Sequence, residues 1–253
     1  MKISTIIKNK FPTILSVFIL VLIWKIISQS IASEMILPSP EVTCKSLLVL
    51  IKSQDFLKIV LMSIKRGMVG FFLSCTLGLG IGLLTGSNSF LEKLIEPILV
   101  VIKSTPVMSI IILALIWFKT DHVPIFVSFL VAFPIICVNV SEGIKSIDVK
   151  LLEMAKIYGV KKYRMVLEIY LPAITSYFMA GVSTAMGIGW KAVIAAEVLS
   201  QPNLAIGTSL YNSKVYIETE NVLAWTVIAV ALSFIFERGI RTLEKKMIRW
   251  RVK

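Results

Sequence analysis

The sequence predicts an all-α integral membrane protein with six transmembrane helices, and three observations carry that prediction. The 253 residues are 57% hydrophobic and only 17% charged, with a mean hydropathy of +0.86, a balance too apolar for a water-soluble domain of this length. Apolar runs of spanning length recur along the whole chain, separated by polar or proline-containing breaks. Lysine and arginine, which give a net charge of +12, gather in alternate connecting segments. A membrane protein retains such basic segments on its cytoplasmic side, which accounts for the excess without nucleic acid as a partner.

The first helix is expected over 11–31, with Trp24 at interfacial depth and Lys25 snorkelling. The rival reading is a secretory signal peptide cleaved near Ser30-Ile31-Ala32; the run exceeds the ~7–15 apolar residues of a signal core, which favours a retained helix. Leu37-Pro38-Ser39-Pro40 then breaks the chain, and 41–58 alternates charged and apolar residues as an interfacial helix does. The second span, 67–85, carries Gly78 and Gly82, with Gly86 just beyond, at four-residue spacing, so that another helix can approach this face closely.

A polar turn, 87–96, leads to the third helix, 98–118, interrupted early by Lys103-Ser104-Thr105-Pro106. The fourth, 124–140, contains Pro134, which removes one backbone hydrogen bond and favours a kink. The charged segment 141–170 follows. The fifth helix, 171–199, has a second small-residue face in Gly181, Ala185 and Gly189. The segment 200–221 precedes the sixth helix, 222–236, and the chain ends in a basic amphipathic tail. With the N-terminus inside, the inner segments hold 17 lysines and arginines and the outer ones 5, which places 141–170 and both termini in the cytoplasm.

No catalytic or metal site is indicated. Cys44, Cys75 and Cys137 fall in unrelated segments without C-x-x-C spacing, and His122 stands alone in the polar break K-T-D-H. There is no G-x-x-x-x-G-K-[ST] phosphate loop, so the chain does not hydrolyse ATP by itself, and no cofactor is expected. A membrane enzyme lacks evident machinery. A secondary transporter driven by an ion gradient is the alternative transport class; inverted hydropathy repeats and intramembrane acids would support it.

The stretch from Glu153 to Pro172 is the longest polar, strongly charged segment between hydrophobic runs. Leu151, Leu152, Ala155 and Tyr158 fall at roughly helical spacing, Gly159 suits a left-handed helix end, and Pro172 suits the first turn of the fifth helix. Two readings are open on these grounds: a docking helix for a cytoplasmic partner, or a solvated helix lying on lipid headgroups.

The spacing E-x-A-x-x-x-G, nine residues, I-x-L-P is filled by Glu153, Ala155, Gly159, Ile169, Leu171 and Pro172, and it resembles the EAA motif of ABC importer permeases. Met154 stands where the motif usually has its second alanine. The resemblance covers nearly the whole chain and points to the nitrate/sulfonate/taurine subgroup. It rests also on L-P-S-P-E-V from Leu37, S-I-K-R from Ser63 to Arg66, the break at Lys103–Pro106, and I-W-F from Ile116. W-K-A-V-I-A-A-E from Trp190 to Glu197 and the terminal I-R-W-R complete the set.

The resemblance implies the type I ABC importer fold, with 141–170 as a coupling-helix loop between helices 4 and 5. It implies a single permease domain in the bacterial cell membrane, paired with a second copy, surrounded by lipid, driven by a cytoplasmic ABC ATPase dimer and fed by an extracytoplasmic solute-binding protein. Glu153, Ala155, Gly159, Ile169, Leu171 and Pro172 would couple to the ATPase. The cargo would be a small solute of the nitrate, sulfonate or taurine kind, or one like a thiamine precursor or riboflavin. Lys103, Lys191 and Glu197 are the charged candidates for the path, because charge within a span marks a functional site. Lys191 lies ~28 Å along a straight helix from Pro172, so it also reaches the outer interface by snorkelling. Glu197 has a structural alternative, pairing with Lys65 or Arg66.

Overall fold

The computed structural model describes residues 3–247; Lys2 and the I-R-W-R run at 248–251 lie outside the described residues. Every regular element among the described residues is a helix, without strands. In order come α1 (Ile3–Ile31), α2 (Pro40–Ile51), α3 (Phe56–Ser87), α4 (Ser89–Ser104), α5 (Val107–Trp117), α6 (Val123–Lys145), α7 (Val149–Ile157) and α8 (Lys162–Met165). A π-helical turn, Val166–Tyr170, leads into α9 (Leu171–Ser200), followed by α10 (Ile206–Val215) and α11 (Thr219–Met247). Among the described residues, four helical stretches are long and apolar enough to cross a membrane: Phe56–Ser87, Val123–Lys145, Lys162–Ser200 and Thr219–Lys245. The pair α4 and α5 would make a fifth, broken one, bent by 98°.

Several expected boundaries change, each for a local reason. Of residues 87–96, expected as a turn, 89–96 form the first half of α4, because the Asn88 side chain accepts the Phe90 and Leu91 N–H groups and starts a helix there. The third span is broken rather than straight, since α4 ends at Ser104 and Pro106 begins the next helix. α6 runs continuously through Pro134. The rod expected to open at Leu171 starts at Lys162, and Pro172, which has no N–H to donate, lies two residues after the π-helical turn. The first, second and sixth helices are longer than their apolar cores, since charged side chains end a hydropathy run without ending a helix.

The chain divides into two compact units. One comprises residues 1–57 and 209–228. In it the Leu37–Pro40 break folds back on α1: the Trp24 indole donates to the Pro38 carbonyl at 3.0 Å, and the Ser28 hydroxyl to the Leu37 carbonyl at 2.8 Å. Lys25 pairs with Glu41 at 2.5 Å, Thr219 donates to the Met35 carbonyl at 2.6 Å, and Phe56 stacks on Trp225. The Lys25 hydrogen bond holds the Glu41 carboxyl below its ordinary pKa. From Leu15 to Ile23 the side chains of α1 are exposed or half-buried and almost all apolar, as a lipid-facing helix requires.

The second unit comprises residues 58–208 and 229–253, and α6 is its axis. Val123, Val127, Ala132, Ile136, Cys137 and Val140 are wholly buried. α3 lies parallel to α6 along a row of small residues. A Cβ on Gly70, Gly78, Gly82 or Gly86 would come within 2.4–2.9 Å of α6 atoms, and Ser74 donates across the gap to the Phe129 carbonyl. This is the close approach that a four-residue glycine repeat allows. α9 packs antiparallel on α6, with Gly181 against Asn139 and Gly143 against Tyr177. Ala185 is fully buried, while a Cβ on Gly189 would meet only ordinary contacts, at 3.8 Å. The Trp190 ring lies over Gly67, edge-on to Phe236, and its N–H donates to the Ala229 carbonyl.

Candidate functional site

The segment 146–170 lies at the end of this unit where α6 stops and α9 starts. Asp148 caps α7 by accepting the Lys150 N–H at 2.9 Å, and Gly159 ends it with φ +65°, a conformation that side chains with a Cβ resist. Nothing lies within 4 Å of a Cβ built on Gly159, so the demand for glycine comes from the backbone alone.

The nine-residue helix is turned so that Ala155 is buried against its own chain and Leu152 is half-buried. The opposite face is apolar and open: Ile157 is 82% exposed, Tyr158 78% and Met154 53%, with Leu151 beside them. The face expected from spacing as Leu151, Leu152, Ala155 and Tyr158 is therefore split. At 100° per residue Ala155 cannot share a side with Ile157, and Met154 takes its place on the open face. Glu153 is exposed and makes no ion pair among the described residues. Ile169 sits in the π-helical turn, Leu171 is exposed, and Pro172 occupies the first turn of α9.

A cavity of about 190 Å³ opens between α3, α4 and α6, with Thr85, Ser141, Glu96 and Lys103 in its wall beside Leu99 and Val138. Lys145 closes one end by pairing with Glu92 of α4 and with Glu142 at 3.6 Å. Lys103, at the last turn of α4, is exposed and unpaired among the described residues, as is Lys191 on α9.

Glu197 has a different fate. It has no exposed surface, and both carboxylate oxygens are engaged: Oε1 accepts from Arg66 at 3.3 Å, and Oε2 from the Ser63 hydroxyl at 2.8 Å and the Gly207 N–H at 3.1 Å. Of its two expected partners, Arg66 is the one that pairs, while Lys65 is exposed. A carboxylate so enclosed cannot line a surface of this chain. Spacing gave no hint of Asp121, which also pairs with Arg66, at 2.6 Å, from 55 residues away.

Compared with known proteins, residues 78–249 match the family described as binding-protein-dependent transport system inner membrane component. The chain is 28% identical over 235 residues to a Bacillus subtilis protein named as an aliphatic sulfonates transport permease protein, SsuC, covering 92% of this chain and 85% of that one. It is 22% identical over 233 residues to the taurine transport system permease protein TauC of Escherichia coli, covering 90% and 84%. A solved bacterial ABC transporter involved in the import of the acidic polysaccharide alginate shares the fold, with a TM-score of 0.62 at 15% identity over 97% of this chain and 99% of that one.

Proposed function

The chain belongs to the binding-protein-dependent transport system inner membrane components, the permease subunits of ABC importers, and from that premise we propose how it works. It contributes six spans, namely α1, α3, the bent pair α4–α5, α6, the rod α8–α9, and α11. Both termini and the segment 146–170 lie in the cytoplasm, on the side favoured by the basic residues. Two copies enclose the path, two copies of a separate ATPase close on ATP, and α7 carries that motion to α9 through the π-helical turn. An extracytoplasmic binding protein delivers the solute.

The observation that carries this reading is the open apolar face of α7. Met154, Ile157 and Tyr158 are more than half exposed on a short helix at the end of the bundle, where a partner's groove would remove them from water. Met154 makes that groove roomier than one built for alanine. The solute is small, and the sulfonate and taurine names of the relatives favour an anionic or sulfonate-bearing one. Lys103 and Lys191, two cations of the proposed spans with no ion pair among the described residues, are the groups that would offset its charge.

The test is Ile157→Asp in the assembled importer. The chain should still reach the membrane, while co-purification of the ATPase and ATP-driven uptake fall at least tenfold. Intact association and uptake would overturn the coupling assignment.

A further inference from the structure

Two motifs that the transport reading leaves without a task, S-I-K-R at 63–66 and the glutamate that ends W-K-A-V-I-A-A-E at 190–197, meet in one buried cluster. We propose that Arg66 is a positioning residue that sets the two loops at the outer end of this unit as a single surface. Those loops are the α5–α6 turn, 118–122, and the α9–α10 turn, 201–205. The assignment of this end to the outside rests on the import reading above.

The guanidinium is almost wholly enclosed, and each terminal nitrogen serves two segments. Nη2 donates to the Asp121 carboxylate at 2.6 Å and to the Asn203 carbonyl at 2.8 Å. Nη1 donates to Glu197 at 3.3 Å and to the Leu204 carbonyl at 3.2 Å. Ser63 extends the same device: its hydroxyl donates to Glu197 and accepts the Ile206 N–H at 2.9 Å, where α10 begins.

The loop held this way is not one the chain would choose unaided. Gln201 and Leu204 both have positive φ, at 46° and 52°, a conformation that non-glycine residues hold only where the surroundings over-determine it. Gly207 packs against Glu197 so closely that a Cβ would lie 2.4 Å away, which fixes the far side of the turn.

The four acceptors around Arg66 are not equivalent. Glu197 is enclosed and belongs to the framework. The Asp121 side chain is 57% exposed and belongs to the loop. Arg66 therefore ties an exposed loop carboxylate to a buried one of the framework, and the planar fork is what lets a single cation do both. A lysine would keep the charge but present one nitrogen where two are needed. In an importer these loops form part of the surface offered to the solute-binding protein, so their relative geometry would set how tightly that protein docks, and less how fast the ATPase then turns over.

The experiment compares wild type, Arg66→Lys and Asp121→Asn in the assembled importer by hydrogen exchange of the amides in 119–126 and 201–207. It also measures stimulation of ATPase activity by the binding protein isolated with the importer. Arg66→Lys should speed exchange severalfold in both loops and Asp121→Asn in the first alone. Both should raise the binding-protein concentration for half-maximal stimulation at least threefold, with the maximal rate changing less than twofold. Asp121→Glu should restore both readouts. Unchanged exchange in Asp121→Asn, which alters a half-exposed side chain and leaves Glu197 paired, would overturn the positioning role. Faster exchange with unchanged half-stimulation would overturn its bearing on docking. A wild type that no binding protein stimulates would instead overturn the import reading and leave the exchange result standing.

Discussion

Gly82→Ala should destabilise the helix bundle, and Gly80→Ala, two residues away on the same helix, should not. An alanine Cβ at 82 would sit 2.7 Å from the Cys137 carbonyl oxygen and 2.7 Å from the Val140 Cβ. Comfortable carbon contacts lie at ~3.5–4.0 Å, so α3 and α6 must part by about 1 Å or bear the overlap. Such overpacking costs about 1–3 kcal/mol, and a backbone oxygen has no rotamer through which to escape, which favours the upper end.

At Gly80 an added Cβ meets nothing within 4 Å. The substitution there leaves only the better helix propensity of alanine, about 0.8–1 kcal/mol in its favour. Gly82→Ala gains the same propensity, which cancels between the two, so the variants should differ by the overpacking alone, about 1–3 kcal/mol, a ratio of about five to about 150 in folded over unfolded chain. Reversible unfolding in mixed detergent micelles titrated with dodecyl sulfate, read by circular dichroism, measures that difference. Equal stability of the two variants would refute the claim that the glycine row of α3 is seated against α6.

Three other outcomes follow from the same geometry. Glu197→Ala leaves the Arg66 cation buried without its framework partner and should cost about 3–5 kcal/mol, whereas Lys65→Ala, one position from Arg66 and exposed, should stay within about 0.5 kcal/mol; thermal unfolding of the purified variants checks both. Gly159→Val forces a β-branched residue to φ +65° and should lower ATP-driven uptake at least fivefold, while Gly159→Asn, which tolerates that conformation, should stay near wild type. Glu41 has its folded pKa depressed by Lys25, so the stabilisation from this pair is present at neutral pH and lost as pH falls through that depressed value. Titration of a carbon-13-labelled carboxyl should place the Glu41 midpoint below the ordinary glutamate range and return it there in Lys25→Met.

Much of this architecture can be read from particular residues. The glycines at 78, 82 and 86 announce a close helix contact, and continuing the same spacing upstream through Ser74 to Gly70 extends it by two turns. Gly159 announces the end of α7, because few other residues accept its backbone. The 98° bend between α4 and α5 is less legible, since hydropathy registers how apolar a run is and not where it points. The extent of α3 is hidden for a related reason: Lys58, Lys65 and Arg66 interrupt the apolar count, yet the helix passes through them and Arg66 is buried by its partners. Asp121 was out of reach altogether, because a lone loop aspartate carries no pattern and its partner is distant in sequence. The rotation of α7 is the subtlest case. Leu152 and Ala155 look like part of one apolar face until the packing shows which side the bundle claims.

If α7 is seated in the ATPase, a benzophenone amino acid at position 157 in the membrane-embedded importer should cross-link to it on illumination. With Ile157 so exposed, the expected result is a covalent adduct to the ATPase subunit from position 157 and none from position 80 in α3. Adducts from position 157 to lipid alone, with the ATPase present and active, would contradict it.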